Sequence, residues 1–180
     1  MPNTNEIYPL SMKTSQVAAG DETWQSMNLS ANDGNAANVT ATTFDLSVFT
    51  QRLKAKGFVF PAGLSAGATI QGVKLHMEVW GTASIIATSV NLLGTDGAIS
   101  GTNKSVGTSA GFSATTQIMS AGAANDLWGC ALTPAIVGTS QFGVGIRCKA
   151  LANNSDIWID YVTLDIFYDN NMTNVKFVSF

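Results

Sequence analysis

The segment Gln71–Trp80, QGVKLHMEVW, decides the fold class of this 180-residue chain. Its apolar and polar residues alternate strictly, with Val73, Leu75, Met77 and Val79 on one parity and Lys74, His76 and Glu78 on the other. A period of two with one polar face is typical of a β-strand that covers a core. We therefore predict a strand here, with its four apolar side chains pointing inward.

The same alternation recurs twice toward the end of the chain. In the first segment the residues predicted to face the core are Phe142, Val144, Ile146 and Cys148. In the second, Val162, Leu164, Ile166 and Tyr168 share one parity, whereas Ile157 and Ile159 have the other. Either a bulge or a twist near Asp160 and Tyr161 would reconcile the two parities, since a bulge inserts one extra residue into a strand.

Shorter apolar segments between turn-forming residues predict weaker strands. They lie at Val39–Phe44, Phe58–Phe60, Ile85–Leu93, Ala114–Ile118 and Leu127–Leu132. Helix is predicted only at Asp45–Leu53, which has apolar residues at helical spacing, and in a single turn opened by Thr133 and Pro134. Roughly eight short strands separated by frequent turns indicate an all-β fold, an antiparallel β-sandwich or barrel.

The composition excludes several classes of function. Charged residues make up only 12% of the chain, against ~25% in ordinary soluble domains, and 35 Ser and Thr with 14 Asn supply most of the polarity. The nine Lys and Arg are scattered along a chain of net charge −3, so we expect no nucleic-acid binding. Leu127–Ile146 lacks charge but is broken by glycines and Pro134, so we expect no membrane segment either.

Catalytic and metal-binding signals are weak. His76 is the only histidine, and its place between Lys74 and Glu78 predicts a solvated side chain rather than a catalytic base. Neither a nucleophile motif nor a phosphate-binding loop occurs. Cys130 and Cys148 are predicted to be two reduced, buried thiols in preference to one intrachain disulfide. We expect no enzyme, no cofactor and no resident metal.

The two ends differ from the middle. Residues 1–20 are predicted to form an extended N-terminal arm, residues 21–168 the β-domain, and residues 169–180 a short apolar C-terminal tail. Each end either contacts a partner or folds back onto its own domain. The residues predicted to contact a partner are Ile7, Tyr8, Leu10, Val175, Phe177 and Phe180.

The four tryptophans leave a second alternative open. Trp24, Trp80, Trp128 and Trp158 either cap the core at strand ends or include a platform on which a sugar ring stacks. The first interpretation is favoured for any single tryptophan.

The order of short motifs resembles a jelly-roll-like domain of tailed-bacteriophage structural proteins. The matching pieces span residues 22–168 and include Phe58–Pro61, Ala68–Leu75, Leu127–Gly129, Leu132–Pro134, Phe142–Ile146 and Ile159–Leu164. In the family these motifs are an opening strand, a Leu-Trp-Gly strand and two closing strands. These residues pack in the core of the domain, so the motifs indicate the fold more specifically than they indicate the function.

The resemblance implies a virion component that is assembled in the cytoplasm of a bacterial host. We expect a homotrimeric capsid decoration (cement) protein of jelly-roll type, whose partners are itself and the major capsid protein or another virion structural protein. The arm and tail would reach neighbouring subunits. The alternative is a tail or fibre component with a glycan-binding or receptor-binding β-sandwich.

Overall fold

Nine β-strands and one helical turn make up the part of the chain that the computed structural model describes, residues 7–27, 33–40, 44–60, 64–82, 85–106 and 112–170. The strands are β1 Ser11–Ser15, β2 Ala37–Thr40, β3 Arg52–Lys56, β4 Thr69–Gly81, β5 Ile85–Leu93, β6 Ile99–Ser100, β7 Gln117–Ala123, β8 Gly143–Ala150 and β9 Asp156–Asp169. The helical turn, α1, is Pro134–Val137. The all-β prediction is confirmed.

The strands form two antiparallel sheets. One has the order β1-β3-β8-β5-β6 and the other the order β2-β9-β4-β7. Buried side chains from both sheets belong to a single hydrophobic cluster. The strands pair in a nested pattern, β5 with β6, β4 with β7, β3 with β8 and β2 with β9. Each successive pair encloses the previous one along the chain.

The strongly alternating segments are placed as predicted. The four apolar side chains of Gln71–Trp80 are fully buried in β4, and Phe142, Val144, Ile146 and Cys148 are buried in or next to β8. Of the bulge and the twist that the sequence left open near Asp160 and Tyr161, the structure has the bulge. Met77 pairs with Val162 and Val79 with Ile159, so Asp160 and Tyr161 together oppose a single residue of β4. Cys148 and Cys130 form no disulfide. Cys148 is buried as predicted, which raises the pKa of its thiol, whereas Cys130 is only half-buried.

The predicted helix Asp45–Leu53 is wrong. Leu46 is exposed in a turn, Phe49 forms an isolated bridge with Lys149, and Leu53 is buried within β3. The segment pairs with β8 instead, because backbone hydrogen bonds across the sheet and burial of Leu53 outweigh a weak local helix preference.

The predicted strand Leu127–Leu132 is also wrong, because this segment is a turn and loop. Trp128 has a positive φ of 56° and is followed by Gly129 at 69°, a conformation that does not fit an extended strand. The Phe58–Phe60 strand is absent as well, since β3 ends at Lys56. The helical turn at Pro134 is confirmed, with Thr133 as its N-cap accepting a hydrogen bond from the Ile136 N–H.

Candidate functional site: grooves and polar clusters of the two sheets

The N-terminal residues fold along the domain from Ile7 onward. Ser11–Ser15 forms β1 and pairs with β3, so the described part of the arm adds a strand to a sheet. Ile7 lies across β9, where its carbonyl accepts a hydrogen bond from the Leu164 N–H, and Tyr8 packs edge-on against Tyr161. Leu10 differs from both, because 74% of its surface is exposed. Val175, Phe177 and Phe180 lie outside the described residues.

An apolar groove surrounds Leu10. It has a volume of about 360 Å³ and is lined by Leu10, Gly57, Phe58, Val59, Phe60, Leu64, Pro134, Gly138, Thr139 and Ser140. None of these lining residues is charged. Val59 is 63% exposed, so two large aliphatic side chains stand at the surface of the groove. We call this region the Leu10 groove. Exposed apolar surface of this kind is typical of protein contact sites.

A second groove has a different chemistry. It has a volume of about 660 Å³ and is lined by Ser26, Met27, Gly34, Asn35, Ala36, Asn38, Trp80 and Trp158. Trp80 and Trp158 are cross-strand partners on β4 and β9 and both are half-buried. Their rings are parallel within 5°, with centroids 6.0 Å apart. We call this region the tryptophan groove.

The other two tryptophans belong to the core. Trp128 is fully buried and its indole N–H donates to the Val73 carbonyl over 2.9 Å. Trp24 is 3% exposed and donates to the Gln51 carbonyl over 2.8 Å. The structure therefore divides the four tryptophans into a core pair and a surface pair, whereas the sequence favoured the core for each of them.

His76 is not the solvated side chain that its flanking charges predict. Its side chain is 17% exposed and lies between strands β7 and β9. Ser120 Oγ lies 3.1 Å from His76 Nδ1, and His76 Nε2 lies 3.3 Å from Asp165 Oδ2. Spacing could not reveal this cluster, because Asp165 is 89 residues from His76 in the chain.

Ser120, His76 and Asp165 are the three residue types of a hydrolytic triad. Hydrolysis also requires groups outside these three side chains. A nucleophilic serine needs donors for an oxyanion and a cleft that holds the substrate. None of the three residues lines either groove. The two hydrogen bonds hold the imidazole in place across β7, β4 and β9.

Most of the Lys and Arg residues lie on the outer face of the larger sheet, which we call the basic face. They are scattered along the sequence, but the fold brings them together, so the expectation that they form no cluster is wrong. Leu53 and Ile146 point into the core, which places their strand neighbours on the opposite side. The residues on that side are Lys13, Arg52, Lys54, Lys56, Arg147 and Lys149. Burial lowers the pKa of Lys56, and the nearby Lys13 and Lys54 lower it further.

Contacts within the domain engage much of this positive charge. Lys54 Nζ donates to the Gly97 carbonyl and Lys56 Nζ to the Gln141 side chain, over 3.0 and 2.6 Å. Arg147 forms an ion pair with Asp21 and lies over the Phe49 ring. The basic face therefore stabilises the loops that pack on it.

Among the residues that the structure describes, no group of three or more His, Cys, Asp or Glu side chains could hold a metal ion. In the same part of the chain, no helix has the length and apolar character needed to cross a membrane. Comparison with known proteins found no matching family model and no similar curated protein.

Proposed function

We propose that the chain is a non-enzymatic structural protein of a tailed-bacteriophage virion, a capsid decoration protein that binds and stabilises the shell through protein contacts. In this proposal it is a homotrimer with a jelly-roll fold. Its second partner is the major capsid protein or another virion structural protein, and assembly takes place in the cytoplasm of the bacterial host.

The nested strand pairing supports the jelly-roll assignment. A jelly roll is a long antiparallel hairpin rolled into two sheets, with eight strands in two Greek keys. Strands β2 to β9 pair in that nested order, and the two members of every pair lie next to each other in one sheet. Strand β1 adds to the edge at β3.

The observation that carries the proposed role is the Leu10 groove. It places two strongly exposed aliphatic side chains in an uncharged concave surface, and each 100 Å² of apolar area that a partner covers is worth about 2.5 kcal/mol before the cost of association. A shell subunit that inserts an apolar side chain here would be held without salt bridges. That mode of binding suits a chain with few charges.

A binding assay with undecorated shells tests the proposal. Purified protein is mixed with shells that lack it, and co-sedimentation is measured for wild type, Leu10→Asp and Ile118→Asp. Ile118 is a matched control, because it is a large aliphatic residue that is 63% exposed, against 74% for Leu10, but it lies on β7 of the other sheet. We expect Leu10→Asp to lose binding and Ile118→Asp to keep it. Equal binding by all three proteins would contradict the assignment of the groove.

Immunogold labelling and sedimentation test location and assembly. The proposal predicts label over the capsid of intact particles and a trimer in analytical ultracentrifugation. Label confined to the tail would overturn the capsid role, and a monomer at all concentrations would overturn the trimer.

The second candidate is a tail or fibre component with a receptor-binding sandwich. The tryptophan groove favours it, because two aromatic rings at a surface provide a platform for a ligand. Label on the tail would support this candidate.

A further inference from the structure

The surface tryptophans differ from their neighbours in the direction in which they point. Val79, Ile157 and Ile159 are fully buried in the core, and the alternation of the strands places Trp80 and Trp158 on the outer face of the sheet. The largest side chains of β4 and β9 are thus held outside the core. The core does not need them, since its inner face is already filled by the alternate residues.

Hydrogen bonding sets the surface pair apart as well. Trp24 and Trp128 each donate the indole N–H to a carbonyl. Within the described ranges, neither Trp80 nor Trp158 has an acceptor for its indole N–H. Tryptophan combines an apolar ring with one polar N–H, so an exposed pair can offer both stacking surface and donors to a ligand.

The rest of the lining is uncharged and contains the polar residues Ser26, Asn35 and Asn38 beside the apolar Met27 and Ala36. Asn38 is the cross-strand partner of Trp158 on β2, so Asn38, Trp158 and Trp80 form a row across three strands. Asn35 and Ser26 lie along the same groove, and none of its described lining residues carries a charge. Each amide side chain offers two donors and one acceptor, the groups that pair with hydroxyls.

We infer that the tryptophan groove binds a neutral glycan. A sugar ring has an apolar face of C–H groups that packs on an indole ring, and its hydroxyls both donate to and accept from amides. An anionic sugar would bring a carboxylate into a groove whose described lining has no cation to pair with it, at a desolvation cost. A purely apolar ligand would exclude water from the Asn35 and Asn38 side chains without replacing the hydrogen bonds that the water makes.

This inference rests on the second candidate function, for which it names the ligand class. Glycan binding itself is measured on the isolated protein. The probes are neutral oligosaccharides of hexoses and N-acetylhexosamines, together with sialylated counterparts of the same glycans. In two-dimensional NMR of the wild type, neutral probes should shift the indole N–H signals of Trp80 and Trp158 and leave those of Trp24 and Trp128 in place. This measurement needs no variant that has to fold.

Variants then test the contribution of each side chain. We expect Trp158→Ala to weaken binding at least tenfold and Asn38→Ala severalfold, with Ile118→Ala unchanged because Ile118 does not line the groove. Sialylated probes should bind no tighter than neutral ones. The inference is overturned if no neutral probe shifts the two signals, if all four indole signals shift alike, or if binding survives in the double variant Trp80→Ala, Trp158→Ala.

The two proposals fail separately. Loss of glycan binding in these experiments leaves the location of the protein in the particle untouched. Label on the capsid would remove the second candidate function without altering a measured affinity for a glycan.

Discussion

The core pair, Trp24 and Trp128, and the surface pair, Trp80 and Trp158, have the same side chain in different environments. Trp128 lies in a turn and fills the space beside β4 and β7, with its N–H bonded to the Val73 carbonyl. Trp80 and Trp158 lie on regular strands, where alternation puts them outside. The difference teaches that strand parity and turn geometry, rather than residue type, decide which tryptophan stabilises the fold.

Removing Trp128 should have the largest effect. Trp128→Ala leaves a cavity in the core and an unpaired Val73 carbonyl, so we expect a loss of about 3–5 kcal/mol in the free energy of unfolding. Urea unfolding followed by far-UV circular dichroism measures the loss. A Trp128→Ala protein as stable as Trp158→Ala would break the comparison between the two pairs.

Gly122 contacts Trp128, so a substitution of Gly122 also tests the packing around this tryptophan. A Cβ added at Gly122 would overlap the Val73 carbonyl oxygen and lie 2.6 Å from Trp128 Nε1, at a φ of 81°. We expect Gly122→Ala to cost about 2–3 kcal/mol, from backbone strain and a clash with a backbone atom. Gly20→Ala is the control, because Gly20 has a φ of 87° with nothing within 4 Å of the added Cβ. Equal losses for the two variants would mean that the close contact with Trp128 has no cost.

Asp21 tests the loop that precedes Trp24. Its carboxylate accepts hydrogen bonds from the Val17 and Ala18 N–H groups and pairs with Arg147. Burial raises the pKa of Asp21, but the Ala18 N–H, Arg147 and Val17 together outweigh it, so the pKa lies below its usual value. A lowered pKa gives stability that is present above about pH 4 and is lost as the pH falls through the folded-state pKa.

We therefore expect Asp21→Asn to cost about 1–2 kcal/mol at pH 7 and less at pH 3, where the wild type has begun to lose the same contribution. Thermal unfolding of both proteins at the two pH values measures this. A loss that grows on acidification would contradict a lowered pKa for Asp21.

Removing a surface tryptophan should have the smallest effect on stability. Trp158→Ala loses the stacked contact with Trp80 and a half-buried ring, worth about 1 kcal/mol. Urea unfolding should show this small change, while glycan binding is weakened at least tenfold. A large loss of stability would contradict the comparison, because it would mean that the surface tryptophans stabilise the fold as the core tryptophans do.

The alternation of apolar and polar residues predicted the long strands, whose conformation depends mainly on that local pattern. Strands β4, β8 and β9 alternate over long segments, and the bulge at Asp160 and Tyr161 accompanies a change of parity. Phe49 and Leu53 show helical spacing, yet pairing across the sheet determines their conformation. No local rule predicted it.

The candidate sites were less accessible to sequence reasoning, because strands far apart in the chain assemble them. Trp80 meets Trp158, and His76 meets Asp165, only after β9 has paired with β4. The tryptophans were recognised as candidates from their chemistry, but the sequence held no signal that would select this pair. The same applies to the basic face, whose lysines become neighbours through β1 and β3.

The nested pairing also determines when the domain can fold. The last of the described strands, β9, lies between β2 and β4, so two thirds of the pairings in the smaller sheet need Asp156–Asp169. On a ribosome, β2 and β4 emerge long before their common partner. Among the paired strands that the structure describes, only β5 and β6 lie close together in the chain. Slow folding is therefore expected from the topology itself, because β2 and β4 cannot complete their native pairing before β9 has been synthesised.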